Sequence, residues 1–106
     1  MFNINGIWWK VEFTNPQNRN LKKENNSYAL GVCNNLNKTI YLANNLEGNM
    51  LRKVLCHEIV HAAMFSYNVY LSLEQEEVIA DIIATYGEEI IDVTNKVFYK
   101  LQLNML

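Results

Sequence analysis

The chain has one proline, Pro16, and only two cysteines, Cys33 and Cys56, in 106 residues. Two cysteines cannot make the disulfide framework of a small secreted domain, so both read as small buried apolar residues kept reduced. Runs of Lys and Arg are missing too: nine basic residues stand against eleven acidic ones, for a net charge of −2. With no basic row to neutralise phosphates, nucleic acid is excluded as the expected partner. Nor is any apolar run long enough to cross a bilayer, and Met1-Phe2-Asn3-Ile4-Asn5-Gly6 lacks the basic start and apolar stretch of a secretory signal. The expectation is a cytoplasmic protein with no membrane partner, free of internal repeats.

Half of the residues are hydrophobic and 11% are aromatic, enough apolar surface to offset the chain entropy that keeps polar sequences disordered. A chain of this length is expected to form one domain over residues 1–106. Its first half reads as strands. Phe2 to Ile4 and Ile7 to Phe13 flank Asn5-Gly6, the dipeptide most typical of a two-residue hairpin turn, and Trp8 and Trp9 then face opposite ways, one of them into the core. Thr14 to Asn26, rich in Asn and without apolar periodicity, reads as a surface loop. Ser27 to Cys33 and Lys38 to Ala43 predict a second hairpin across Asn34, Asn35, Leu36 and Asn37.

After Asn44 the period changes. Leu51, Leu55, Ile59 and Ala62 share one helical stripe, which predicts a helix from about Leu46 to Ser66 with Asn45 as its cap. Ser72 and Gln75 form a capping box for another helix, carried by Val78, Ile79, Ile82, Ile83 and Tyr86 to Gly87. Ile90, Val93, Val97 and Leu101 then predict a C-terminal helix or a continuation of the same one. The fold class is α+β: a small antiparallel sheet, then two helices and a C-terminal helical segment.

The chemistry lies in those helices. His57-Glu58-Ile59-Val60-His61 is an HExxH pattern on a segment that reads as helix independently of it. Residues four apart are just over one turn apart, so both imidazoles leave the same face and can bind one Zn2+ per chain, with Glu58 beside them to take a proton from water. A catalytic zinc needs a third protein ligand, and Glu77 on the capped helix can supply it. Ala80 and Ala84 are small enough to let the two helices approach. Asp81, one turn after Glu77, is suited to accept the free ring N–H of a ligand histidine, His57. Glu74 and Glu76 are explained by the preference of acids for helix N-termini.

His57-Glu58-x-x-His61 followed by Glu77-Val78-Ile79-Ala80-Asp81 resembles the gluzincin metallopeptidases, and its compactness is similar to the minigluzincins and the phage-type ImmA/IrrE peptidases. The resemblance covers roughly Ser27 to Tyr86. It implies a zincin-like fold with a hairpin ahead of the active-site helix, and zinc ligands His57, His61 and Glu77. It also implies Glu58 as general base, Asp81 behind the metal, and a peptide or protein substrate, in a protein of phage or mobile-element origin. Larger members close the cleft with a further subdomain that supplies an oxyanion donor; here Tyr67, Tyr70 and Tyr86 are the candidates, and a partner or second copy could complete the cleft. The family's substrate edge strand is expected at Tyr28, Ala29, Leu30, Gly31, Val32 and Cys33, with Gly31 letting a peptide backbone come close or marking a bulge. The alternative is a non-catalytic or latent, partner-dependent zinc module.

Overall fold

The computed structural model describes residues 1–105. Strand β1 (Phe2–Ile4) turns at Asn5 and Gly6, both at positive φ, into β2 (Ile7–Thr14). A short 3-10 turn at Arg19–Leu21 leads to β3 (Gly31–Asn34) and β4 (Thr39–Ala43). Two helices follow, α1 (Gly48–Ser66) and α2 (Leu73–Met105). The sheet order is β1-β2-β4-β3.

Both hairpins are antiparallel, but the sheet is mixed, because β2 and β4 run parallel from Lys10↔Thr39 to Thr14↔Ala43. The expected all-antiparallel sheet is corrected here. The reason lies in the loop after Thr14, which carries the chain across before β3 begins and so leaves β3 on the outside of β4. All five residues of β4 are buried, as expected of a strand covered on both faces. Ile40 and Leu42 join Trp9 and Ala62 in the core beneath α1, while Tyr41 and Ala43 pack with Leu21 on the other side.

Two boundaries differ from expectation, and one of two open alternatives is decided. Tyr28, Ala29 and Leu30 are not strand: the Ala29 N–H donates to Leu21 O and Tyr28 bridges Lys22, so the chain is still tied to the loop and joins the sheet only at Gly31. Helix α1 starts at Gly48, not Leu46, and Asn45 does not cap it. Gly48 sits at φ +57, a left-handed step that interrupts any helix entering from Leu46, which instead packs on the core. The C-terminal segment is no separate helix but the continuation of α2, whose start carries the reciprocal Ser72–Gln75 bonds of a capping box, at 3.1 and 3.2 Å.

The first hairpin is fastened to the far end of α1. Trp9 is fully buried and its Nε1–H donates to Ser66 Oγ at 2.8 Å, and Asn5 Nδ2 donates to the Ser66 carbonyl at 3.0 Å. Trp8, on the opposite face, is 59% exposed. Ser66→Ala would strand the buried indole N–H, and we expect a loss of about 1–3 kcal/mol in unfolding free energy by denaturant titration. Trp9→Phe combined with Ser66→Ala removes both partners, so it should cost less than the two single changes added together.

Candidate metal centre

The two helices run antiparallel: Arg52 pairs with Glu88, His57 with Asp81, and His61 with Glu76 and Glu77. This register stacks the HExxH turn of α1 against the first turns of α2, where Ala80 and Ala84 are buried. Sheet packing of Leu51, Val54, Leu55 and Ile59 turns the opposite, polar side of α1 toward α2 and the cleft.

The ring nitrogens are assigned by what surrounds them. His57 Nδ1 lies 2.9 Å from Asp81 Oδ1, and His61 Nδ1 lies 2.6 Å from Glu76 Oε1. Carboxylates only accept, so each Nδ1 carries the hydrogen and each Nε2 of a neutral ring is left with a lone pair. The two Nε2 atoms stand 3.1 Å apart, and Glu77 approaches them at 3.1 Å from His57 and 2.9 Å from His61. With both rings neutral and protonated at Nδ1, the two Nε2 lone pairs and the Glu77 carboxylate face one another, whereas a ring protonated at Nε2 donates to Glu77. All three ligand atoms lie within 4.8 Å of one another. Two ligands on a tetrahedral zinc with bonds of about 2.0–2.1 Å stand roughly 3.3 Å apart, which the two Nε2 atoms match to tenths of an ångström, while Glu77 reaches His57 with Oε2 and His61 with Oε1.

Glu58 is buried, at 6% exposure, and its carboxyl is pushed above the usual carboxylate range, first by burial and also by the Glu77 charge. His61, His57 and a hydrogen bond from the Cys33 main-chain N–H oppose that shift. Burial likewise pushes the Cys33 thiol up to about 12, with the Glu58 and Glu76 charges adding to it, so Cys33 sits beside the cluster as a protonated thiol.

Glu76 is the residue that sequence reasoning missed. Its side chain is 13% exposed where the side chain of Asp81 is 70% exposed, so a helix-terminus preference does not account for it. The signal was present: Ala80 and Ala84 lie four and eight positions after Glu76 and three and seven after Glu77, beside both acids, and they face α1.

A cleft of about 960 Å³ runs past the cluster, lined among others by Tyr28, Leu30, Lys53, Phe65 and Leu73. Strand β3 forms one wall and is paired only with β4. The Ala43 N–H donates to Leu30 O, and by antiparallel alternation Gly31 and Cys33 turn their main-chain groups to the open side. The usable edge is thus Gly31–Asn34 and not Tyr28–Cys33, with the Cys33 N–H already taken by Glu58. Tyr67, Tyr70 and Tyr86 do not line the cleft; among the tyrosines of the described residues, Tyr28 does.

Gly31 has a different role from the one expected. A Cβ there would meet Val54 Cγ1 at 2.8 Å, Glu58 Cγ at 3.0 Å and Leu42 Cδ2 at 3.2 Å, so the missing side chain lets β3 press on α1 rather than making room for a ligand. No protein-family model, curated protein or solved structure matches the chain. Gly31→Val should cost on the order of 1–3 kcal/mol in stability through overpacking and should displace Glu58. We expect metal content to survive in that variant while any Glu58-dependent reaction falls; full activity with a displaced Val54 alone would contradict this placement.

Proposed function

We propose that the chain is a zinc-dependent metallopeptidase in which His57, His61 and Glu77 hold one Zn2+ and Glu58 is the general base. The observation that carries the reading is the convergence of two Nε2 lone pairs and a carboxylate, with both Nδ1 atoms held by carboxylates behind them. With both rings neutral and their hydrogens on Nδ1, a cation among the three groups satisfies every member. Bound zinc would supply Lewis acidity, polarising a carbonyl and lowering the pKa of a water to about 7.

The remaining steps belong to the chain's own residues. Asp81 and Glu76 fix the orientation of His57 and His61 and keep the lone pairs on Nε2. Glu58, next to the cluster and shielded from bulk water, accepts the proton of the attacking water and returns it to the leaving amine. A carboxyl with a raised pKa is suited to both transfers near neutral pH. The open side of Gly31–Asn34 offers main-chain groups to which an extended peptide can add. A cytoplasmic setting belongs to the same proposal. Of the described residues, no helix is long and apolar enough to cross a membrane.

One observation favours the alternative of a zinc module without turnover: the tyrosines expected as oxyanion donors stand outside the cleft. Two measurements separate the readings. Purified protein should bind one zinc, and His57→Ala, His61→Ala and Glu77→Ala should each weaken binding severely; a Glu77→Ala protein with wild-type zinc content would refute the ligand set. Asp81→Asn and Glu76→Gln should each lower affinity or activity about 10 to 100-fold, as is usual for groups that orient ligands. Glu58→Gln should keep the zinc and lose hydrolysis of an unfolded protein; undiminished hydrolysis would remove Glu58 from the mechanism, and a wild type inactive on every substrate would leave the non-catalytic module.

A further inference from the structure

The cleft that passes the metal cluster has two unlike ends. Lys53 stands one turn before His57 on α1 and Phe65 one turn after His61, so each lies about 6 Å along the helix from the cluster. Leu71 and Leu73, at the start of α2, line the cleft on the Phe65 side. Lys23 lines it on the Lys53 side: its N–H belongs to the loop that Lys22 bridges to Tyr28, three residues before Gly31, and Gly31 packs on Val54.

Strand β3 gives this cleft a direction. It enters beside Val54, and the turn that follows Asn34 brings Lys38 Nζ to 5.5 Å from the Trp9 ring, which itself stacks on Phe65 at 6.4 Å. β3 therefore runs the same way as α1, from the lysine end to the Phe65 end. Antiparallel pairing is the more stable per residue, so a peptide that adds to the open side of β3 runs the other way. Its N-terminal part then lies by Phe65, Leu71 and Leu73, and its C-terminal part by Lys53 and Lys23.

The charges along the cleft are unequally satisfied. Glu76, Glu77 and Asp81 each face a histidine ring nitrogen, and Glu58 accepts the Cys33 N–H. Lys10, Arg52 and Lys96 each hold a carboxylate, but among the described residues neither Lys23 nor Lys53 does. Phe65, Leu71 and Leu73 are exposed and bring no charge to the other end.

We propose that the cleft selects extended peptide segments with apolar residues before the bond laid over the cluster and acidic side chains within about two residues after it, the distance that one helical turn spans in extended chain. The identity of that bond as the one cut rests on the metallopeptidase reading; the selection itself is a property of binding. Exposed ion pairs contribute modestly and are screened by salt, so the preference is several-fold and salt-sensitive.

The test is fluorescence anisotropy of short labelled peptides, capped at both ends, on full-length Glu58→Gln protein loaded with zinc. One peptide carries Phe-Leu then Glu-Asp about its central bond, a second Phe-Leu then Gln-Asn, and a third Glu-Asp then Phe-Leu. The first is expected to bind at least about three-fold tighter than either of the others, and to lose its advantage over the Gln-Asn peptide in about 0.5 M NaCl. Adding K23E/K53E should abolish that advantage and favour a peptide with Lys-Lys in place of Glu-Asp, at unchanged zinc content. Equal binding of the three peptides, preference for the reversed order, a preference that survives K23E/K53E, or no binding of any peptide at about 1 mM would each overturn the proposal. Zinc content and hydrolysis by the wild type are measured separately, so a protein that selects the acidic peptide but never cleaves it would lose the metallopeptidase reading and keep this one.

Discussion

The site depends above all on the antiparallel register between α1 and α2. That register sets the HExxH turn against the start of α2, so that His57 meets Asp81 while His61 meets Glu76 and Glu77. A slip by one residue would turn these acids by about 100° and break their match to the imidazoles. The capping box at Ser72 and the buried row of Ala80 and Ala84 hold the start and the separation of α2, which ties them to the geometry of the cluster although neither touches it.

Strand β3 is the second constraint. Its close approach to α1 at Gly31 places the Cys33 N–H on the Glu58 carboxylate and leaves the other edge of the strand open. One contact thus sets the position of the proposed base and the wall along which a substrate would lie. Burial raises the Glu58 carboxyl at the same point where an amide N–H steadies its charged form, so the two effects oppose each other.

Much of this was legible in the residues. The Asn5-Gly6 turn, the Ser72–Gln75 cap and the His57/His61 spacing are local patterns with local causes, and each appears where its pattern stands. What escaped depended on contacts between distant segments. The parallel pairing of β2 and β4 is set by where the loop after Thr14 crosses, and periodicity carries no trace of that route. Asn45 resembled a cap because the left-handed step at Gly48 cannot be seen in a hydrophobic pattern. Glu76 stands near a helix start, where acids are common, and only its contact with His61 across the helix pair sets it apart. The packing of Gly31 on Val54 and Glu58 likewise depends on a distant helix, which a strand pattern does not carry.

The Trp9 and Asn5 bonds to Ser66 also bear on the order of assembly. They join segments 57 and 61 residues apart in a chain of 106, whereas the His57–Glu77 contact spans 20. Loop closure over the longer separations is entropically slower, so the helical hairpin with its cluster can form ahead of the docking of the first strands. Trp9 is fully enclosed only once the first strands and the end of α1 have met, so its indole reports that union rather than the formation of the cluster.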